Sequence, residues 1–559
     1  MHANHVRHSL ILSALLAVPA LGQTTTRETV SSTGVQGTLG NGDPCLSADG
    51  RYSCFRSASP NLVPGDTNGA NDIFVHDRQT GQTTRVSVDS AGVQGNGNCG
   101  QSDLSADGRF VVFESSASNL VAGDTNGLLD IFCHDRQTAQ TTRVSLGASG
   151  QQALVSCQRC SISADGRFVT FQSADNALVP GNTCLATDIF LRDRVLGTTT
   201  LVSVSNTTGQ TFTPRQNASL SDDGNFVVFD SAADDLVAND GNGHNDVFLW
   251  SRLTGSIGLV SVANGGAQGN APSLEAELSA DGRYVVFSSS ATNLGGGTVN
   301  GANYDVFVRD QLTGQIGCVS VATGGAGISG FAQGGTITDD GRLVAFWSNA
   351  STLVPGDTNN EYDCFVHDRQ TTTTIRISTS AAGLQARGQS TEPMIAGGGR
   401  YVAFTSPATN IVLPDTNGTV DIYVRDLAAT AVALAYGTPC LGTSPIPAQA
   451  EGIGQPFLGN AGFAIGVGNG FPSALSILAL ALAPASIPLG PCEALLGGTL
   501  ALSSGSFTNL AGFASTPLPI PATPGLAGFT LYGQYLVFDP NGQFLGFAQS
   551  TQGLAITLN

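Results

Sequence analysis

The chain has 559 residues, with 42 acidic against 23 basic side chains and a formal net charge of −19 at pH 7. An acidic excess of that size argues against nucleic acid and against anionic membrane surfaces, whose phosphates demand basic protein surface. No lysine occurs, which removes Schiff-base chemistry and any P-loop.

Residues 1–22 read as a secretory signal. Arg7 and three histidines precede an apolar run from Leu10 to Leu21, and Ala20 and Gly22 are the small residues a signal peptidase needs before Gln23. The run is too short and too early for a membrane anchor, so an exported chain with no later membrane span is expected, in the periplasm, on the cell surface or outside the cell.

From residue 25 onward one unit repeats. Arg51, Arg109, Arg167, Asn225, Arg283, Arg342 and Arg400 recur every 58 residues, with one step of 59 before Arg342. A period sustained this far means a repeat architecture, in which each unit buries its apolar faces against its neighbours. In the unit around Arg109 the first strand ends at the Leu104-Ser105 step, before a tight turn at Ala106-Asp107-Gly108. The second runs from Arg109 to Ser115, the third from Asp130 to Asp135 and the fourth from Thr141 to Leu146. Four short strands rich in Val, Phe, Ile and Thr, without a helical period, describe a propeller blade.

Residues 25–37, TTRETVSSTGVQG, match residues 83–95, TTRVSVDSAGVQG, at the repeat distance. The chain therefore begins with an orphan fourth strand and ends its repeats, near Asp426, with a three-strand set. The fold predicted is all-β: a seven-bladed propeller over residues 23–430, closed by the N-terminal strand so that no sheet edge stays free. Residues 431–559, rich in Pro, Gly, Ala and Leu, carry runs such as Ala474 to Ala483 and Phe529 to Asp539 that read as strands of a small β-sandwich. Cys440 and Cys492 are the cysteines of that region, and a disulfide between them would staple it. Cys99 and Cys157 stand at equivalent positions of adjacent blades, where a bridge is a matter of geometry. The Cys157 to Cys160 C-x-x-C lacks a second pair or a thioredoxin-like context.

The phrases LSADGRFVVF and DIFVHDRQTGQTTRVS resemble the TolB-like, WD-repeat-like (PD40-type) β-propeller repeats of bacterial envelope proteins, over about residues 25–430. The resemblance implies the fold and leaves the activity open, since scaffolds, binding proteins and peptidase-linked propellers share it. The tail, from YGTPCLG through PLPIPATPGLAGFTLYGQ, resembles an uncharacterised C-terminal domain of secreted planctomycete-type proteins, which implies export or surface retention.

The loop between second and third strands repeats a D-x-N-G-x-x-D pattern. It supplies Asp66, Asn68 and Asp72 in blade one, Asp124, Asn126 and Asp130 in blade two, and Asp240, Asn242 and Asp246 in blade four. Asp357, Asn359 and Asp363 follow in blade six, and Asp415, Asn417 and Asp421 in blade seven. Oxygen ligands two residues apart, a turn glycine and a further carboxylate are how a loop wraps Ca²⁺, here without the first ligand, where Pro64 or Ala122 stands. The same residues also cap turns through their own backbone, and both readings stay open. The A-D-G aspartates (Asp49, Asp107, Asp165, Asp223, Asp281, Asp340) read as turn formers on the opposite face of the ring.

His76, His134 and His367 alternate with Arg192, Trp250, Arg309 and Arg425 at one position of the third strand. They are expected to be surface residues of the outer blade. Glu275 and Glu277 enter an inner strand and are expected to face the same side. No G-x-S-x-G or H-E-x-x-H occurs.

The leading functional expectation is a non-enzymatic, exported binding or scaffold protein whose D-T-N-G face takes up a protein or glycan of the cell envelope, with calcium as its one candidate cofactor. A polysaccharide-active lyase or hydrolase with its site at the channel mouth, and a structural envelope component, are the alternatives.

Overall fold

A computed structural model describes residues 24–183, 186–205, 215–295, 303–380 and 383–427, and the strands beyond residue 433. The chain divides into two compact units, one of them Gln23–Leu427 and the other taking in Ala428–Asn559.

The first unit is a seven-bladed β-propeller of four-stranded antiparallel sheets. Blade two shows the plan, with an inner strand Cys99–Leu104, then Phe110–Ser115 and Asp130–Asp135, and an outer strand Gln140–Arg143. The second and third strands are buried along most of their length because neighbouring blades cover both faces. That is why they read as continuous apolar runs and do not alternate. Each blade packs one aromatic pair across these strands, such as the tilted Phe113 and Phe132 (ring centroids 6.0 Å apart) or Phe171 stacked on Phe190 (5.5 Å).

Blade seven contains Thr391–Ile395, Tyr401–Ser406 and Asp421–Asp426, and its fourth strand is Thr25–Arg27. The N-terminal strand pairs antiparallel with the third, Thr25 opposite Arg425 and Arg27 opposite Tyr423. The ring is also tied at the A-D-G turns. The Ala48 N–H donates to the Ala106 carbonyl (3.0 Å), Ala106 to Ala164 (3.1 Å) and Ala164 to Asp222 (3.0 Å). The Gly398 N–H on the Ala48 carbonyl (3.3 Å) links the last blade's turn to the first.

In the second unit the strands form a six-stranded and a three-stranded antiparallel sheet. Leu475–Leu489 continues past Pro484 and Pro488, and its pairing register shifts between Pro484 and Ile487, where the ladder loses proline donors. Cys440, the segments joining these strands and the signal-like residues 1–22 lie outside the described residues. The expected Cys440–Cys492 bridge therefore does too.

Candidate functional site: the D-T-N-G face and the channel mouth

In blade one the D-T-N-G loop is tied to protein groups throughout. Asn68 Oδ1 accepts from the Ala70 N–H (3.0 Å), an Asx turn, and its amide donates to Asp72 Oδ2 and to the Gly95 carbonyl (2.9 Å each). Asp72, fully buried, also accepts from Ser87 Oγ at 2.5 Å. The positive charge beside the loop is Arg85 of the outer strand, whose Nη1 lies 3.2 Å from Asp66 and 3.4 Å from Asp72.

The arrangement recurs. Arg143 meets Asp124 (3.0 Å) and Asp130 (3.8 Å) beside Asn126, and Arg376 meets Asp357 and Asp363 (3.2 Å each) beside Asn359. In blade seven Arg27 meets Asp415 (3.4 Å) and Asp421 (3.2 Å) beside Asn417, so the closing strand supplies the arginine of the last blade.

Where the leading aspartate is missing, the arginine is missing too. Blade three has Asn182 and, at the arginine position, Leu201; blade five has Cys318 there and no leading aspartate. Blade four departs from the rule. It keeps Asp240, Asn242 and Asp246, with the Asn242 amide on Asp246 Oδ2 at 2.6 Å, yet carries Leu259 in place of arginine. Burial, reinforced by the charges of Asp246 and Asp234, pushes the Asp240 carboxyl up to about 6. Among the described residues no group of three or more His, Cys, Asp or Glu is arranged to hold a metal ion.

The opposite face is a girdle of guanidinium groups. Asp49 accepts from Ser47 Oγ (2.7 Å) and from the Arg51 N–H (2.9 Å), shaping the A-D-G turn. Gly50 has φ +67°, and a Cβ there would stand 2.1 Å from the Tyr401 ring, so glycine is needed for both conformation and space. Arg51 grips Asp77 with two bonds (3.0 and 2.7 Å) and holds that carboxyl well below its usual range. It also covers Tyr52 at 4.8 Å from the centroid, and Arg136 of the next blade covers the same ring at 4.3 Å. Phe110, Phe168, Tyr284 and Tyr401 are likewise held between two guanidinium groups.

The three strand-three histidines are buried, which corrects the expectation of surface residues. His76, His134 and His367 place Nδ1 at 2.8, 2.9 and 2.9 Å from Thr83, Thr141 and Thr374. Each threonine hydroxyl donates its proton to a carbonyl of the preceding crossover, so Nδ1 carries the hydrogen. Burial lowers all three histidines, His367 to about 4. Arg192 donates to Thr199 from the same position (2.9 Å), and Trp250 faces Ile257 there, which explains an alternation no metal ligand would show. Cys99 and Cys157 are free thiols pushed up to about 12 by burial, and Cys160 is free and buried as well.

The channel mouth on the D-T-N-G side is where blades differ. Each inner strand bulges near its start, and Asp43, Arg159, Asn217, Glu275, Gly334 and Glu392, equivalent positions of six blades, all have φ between 52° and 67°. Left-handed backbone in non-glycine residues costs about 1–2 kcal/mol each and marks sites held by their surroundings. Opposite them, at one position of the second strand, stand Arg56, Glu114, Gln172, Asp230, Ser288, Trp347 and Thr405.

The bulge also corrects the expected Glu275/Glu277 pair. Alternation is lost between Leu274 and Glu277, where the pairing register shifts, so the two residues do not follow one regular strand. The Glu275 N–H points to Asp230 Oδ1 (3.4 Å), and Gln333 and Gly334 beside its carboxylate partly offset the rise that burial causes, while the Gly334 N–H itself donates to Ser288 Oγ (3.2 Å). Burial pushes Glu277 up to about 8, with the Asp103 charge adding to it. Asp230, 2% exposed, is pushed up to about 6 by burial although Asn217 donates to it at 2.9 Å.

Beside Glu275 lies an aromatic cluster that reading the sequence did not single out: Tyr304, Phe331, Trp347 and Tyr362. Trp347 is 5.3 Å from Phe331 and 4.9 Å from Tyr362, and Tyr304 is 5.7 Å from Phe331. The signal was available. Asn71 and Asn245 occupy the position of Tyr304 and Tyr362 in other blades, and Gly40 and Asn98 that of Phe331.

No protein-family model and no curated protein matches the chain. Solved structures do. A putative TolB from Agrobacterium tumefaciens is 14% identical over 55% of this chain and 87% of its own, with a TM-score of 0.33. The hydrazine synthase of Kuenenia stuttgartiensis is 13% identical over 68% and 94%, TM-score 0.34, and a GH74 xyloglucanase from Xanthomonas campestris is 10% identical over 80% and 60%, TM-score 0.39. The seven blades carry the fold by themselves, and these likenesses assign no activity.

Proposed function

We propose that the chain is an exported, non-enzymatic binding protein that docks a protein of the cell envelope at the channel mouth on its D-T-N-G face. One observation carries this reading: a frame of near-identical blades presents, at its strained bulge positions, side chains that differ from blade to blade. Export rests on the signal-like character of residues 1–22. Capture of envelope proteins on the immobilised full chain tests the face. Arg159→Ala with Glu275→Gln is expected to abolish capture and Asp107→Asn, in the opposite face's turn, to leave it intact; equal capture by both variants would sink the assignment.

The calcium part of the reading belongs to blade four, which keeps the loop carboxylates and lacks the arginine. Two carboxylates make a weak site, on the order of millimolar. Calcium is expected to raise the melting temperature of the wild type and not of Leu259→Arg. The rival polysaccharide-active reading draws on Asp230 and Glu275, a carboxylate pair beside aromatic rings. Release of sugar ends from a polysaccharide panel, lost in Glu275→Gln, would favour it.

A further inference from the structure

Tyr304, Phe331, Trp347 and Tyr362 come from blades five and six and meet at one corner of the mouth, each of them half-buried. Gly334 backs the indole so closely that a Cβ would lie 2.5 Å from Trp347 Nε1. Trp347 is also paired across the ladder with Gln333, whose side chain neighbours the Glu275 carboxylate. The corner thus joins an aromatic surface to a half-buried carboxylate, with the buried carboxylate of Asp230 behind it.

Elsewhere this protein treats such groups uniformly. Tyr52 and Tyr401 each lie between two guanidinium groups at 4.3 to 4.8 Å, and the loop carboxylates of four blades are met by Arg27, Arg85, Arg143 and Arg376. At this corner neither half is met. Among the described residues no guanidinium lies over any of the four rings, and neither Glu275 nor Asp230 forms an ion pair. Arg159 of blade three, exposed on its own bulge, is the positive charge that acts on both. The group missing from rings and carboxylate alike is one planar cation that stacks on the first and donates in parallel to the second.

We propose that this corner binds an arginine side chain carried by an extended segment of the partner protein, its guanidinium lying against the aromatic cluster and donating to the Glu275 carboxylate. The proposal rests on the docking reading above and names the chemistry of its partner. An ammonium would form the charge pair without the planar stack, and a glycan would stack without needing the charge.

The test uses the full chain and a fluorescein-labelled Gly/Ser pentapeptide carrying one arginine, with citrulline and lysine versions as controls. Trp347 emission reports the site, since the other tryptophan, Trp250, is buried. The arginine peptide is expected to bind at least tenfold more tightly than the citrulline peptide and to perturb tryptophan emission. Glu275→Gln should weaken it at least tenfold and Trp347→Ala at least fivefold, while Trp347→Phe, which keeps a ring, stays within threefold. Equal binding of the citrulline peptide, indifference to Glu275→Gln, or emission changes with a neutral oligosaccharide alone would overturn the proposal. If mouth variants still abolish capture of envelope protein while the arginine peptide fails, the arginine assignment falls and the docking face stands; if capture ignores the mouth variants, the docking face itself falls.

Discussion

Leu259→Arg restores to blade four the arginine that blades one, two, six and seven carry, and its effect follows from Asp240. That carboxyl rises from an ordinary 3.8 to about 6 in the folded chain. A raised acid keeps its proton longer when folded, so the penalty is absent below about pH 4, grows as pH rises and is complete above about pH 6. Two units correspond to roughly 3 kcal/mol for a fully desolvated group, and the partial exposure of Asp240 reduces this to about 1–2 kcal/mol. An arginine here removes the penalty and forfeits some packing of a half-buried leucine, a loss that does not depend on pH. About a third of the penalty is already present at pH 4.5, so the informative quantity, the stability change at pH 7.5 minus that at pH 4.5, is expected at about +0.5 to +1.5 kcal/mol. Urea unfolding followed by tryptophan emission measures it, because both tryptophans, Trp250 and Trp347, lie in the propeller. A stability change equal at the two pH values would refute the reasoning.

Arg27→Met leaves Asp415 and Asp421 charged and without their cation, and is expected to cost about 3–5 kcal/mol and to open blade seven first. Proteolysis under native conditions should then cut near the N-terminal strand; cleavage spread evenly over the ring would contradict this. Glu277, pushed up to about 8, destabilises the folded chain progressively as pH rises from its unfolded 4.5. Glu277→Gln should flatten that fall and gain about 2 kcal/mol above pH 8, and parallel pH curves for the two proteins would count against it. Phe113→Ala, which removes a fully buried ring packed against Phe132, should cost about 3–5 kcal/mol in the same unfolding assay. A loss under 1 kcal/mol would mean the core there can collapse.

The blades were legible in the chain because a fixed repeat multiplies every local signal by seven, so the turn at Asp107 and the strand at Phe110 are each read several times over. Closure was legible for the same reason: residues 25–37 copy a fourth strand that has no first three. The partners of the D-T-N-G carboxylates were not legible, since Arg85 lies on a different strand from Asp66 and Asp72 and only register brings them together. The histidines misled because an outer-blade position looks exposed until the preceding crossover is laid over it, delivering the Val30 carbonyl to Thr83 and closing His76 in. The Glu275/Glu277 expectation assumed an unbroken strand, and one left-handed residue is enough to break it. The aromatic corner draws on residues as far apart as Tyr304 and Tyr362 and on two blades, so no local pattern contains it. Comparing blades column by column does.

The N-terminal strand also puts a clock on this fold. Thr25 is hydrogen-bonded through its side chain to Arg425, 400 residues later, and at about 5–20 residues per second that separation is roughly 20–80 s of synthesis. Through that interval the first strand waits without a partner, while blades one to six complete their sets of four one after another. The last event is also a test of completeness. Arg27 has no pair of aspartates to meet until Asp415 and Asp421 exist, so a chain cut short before them keeps an unclaimed strand and an open ring, and only the full array of blades can retire both at once.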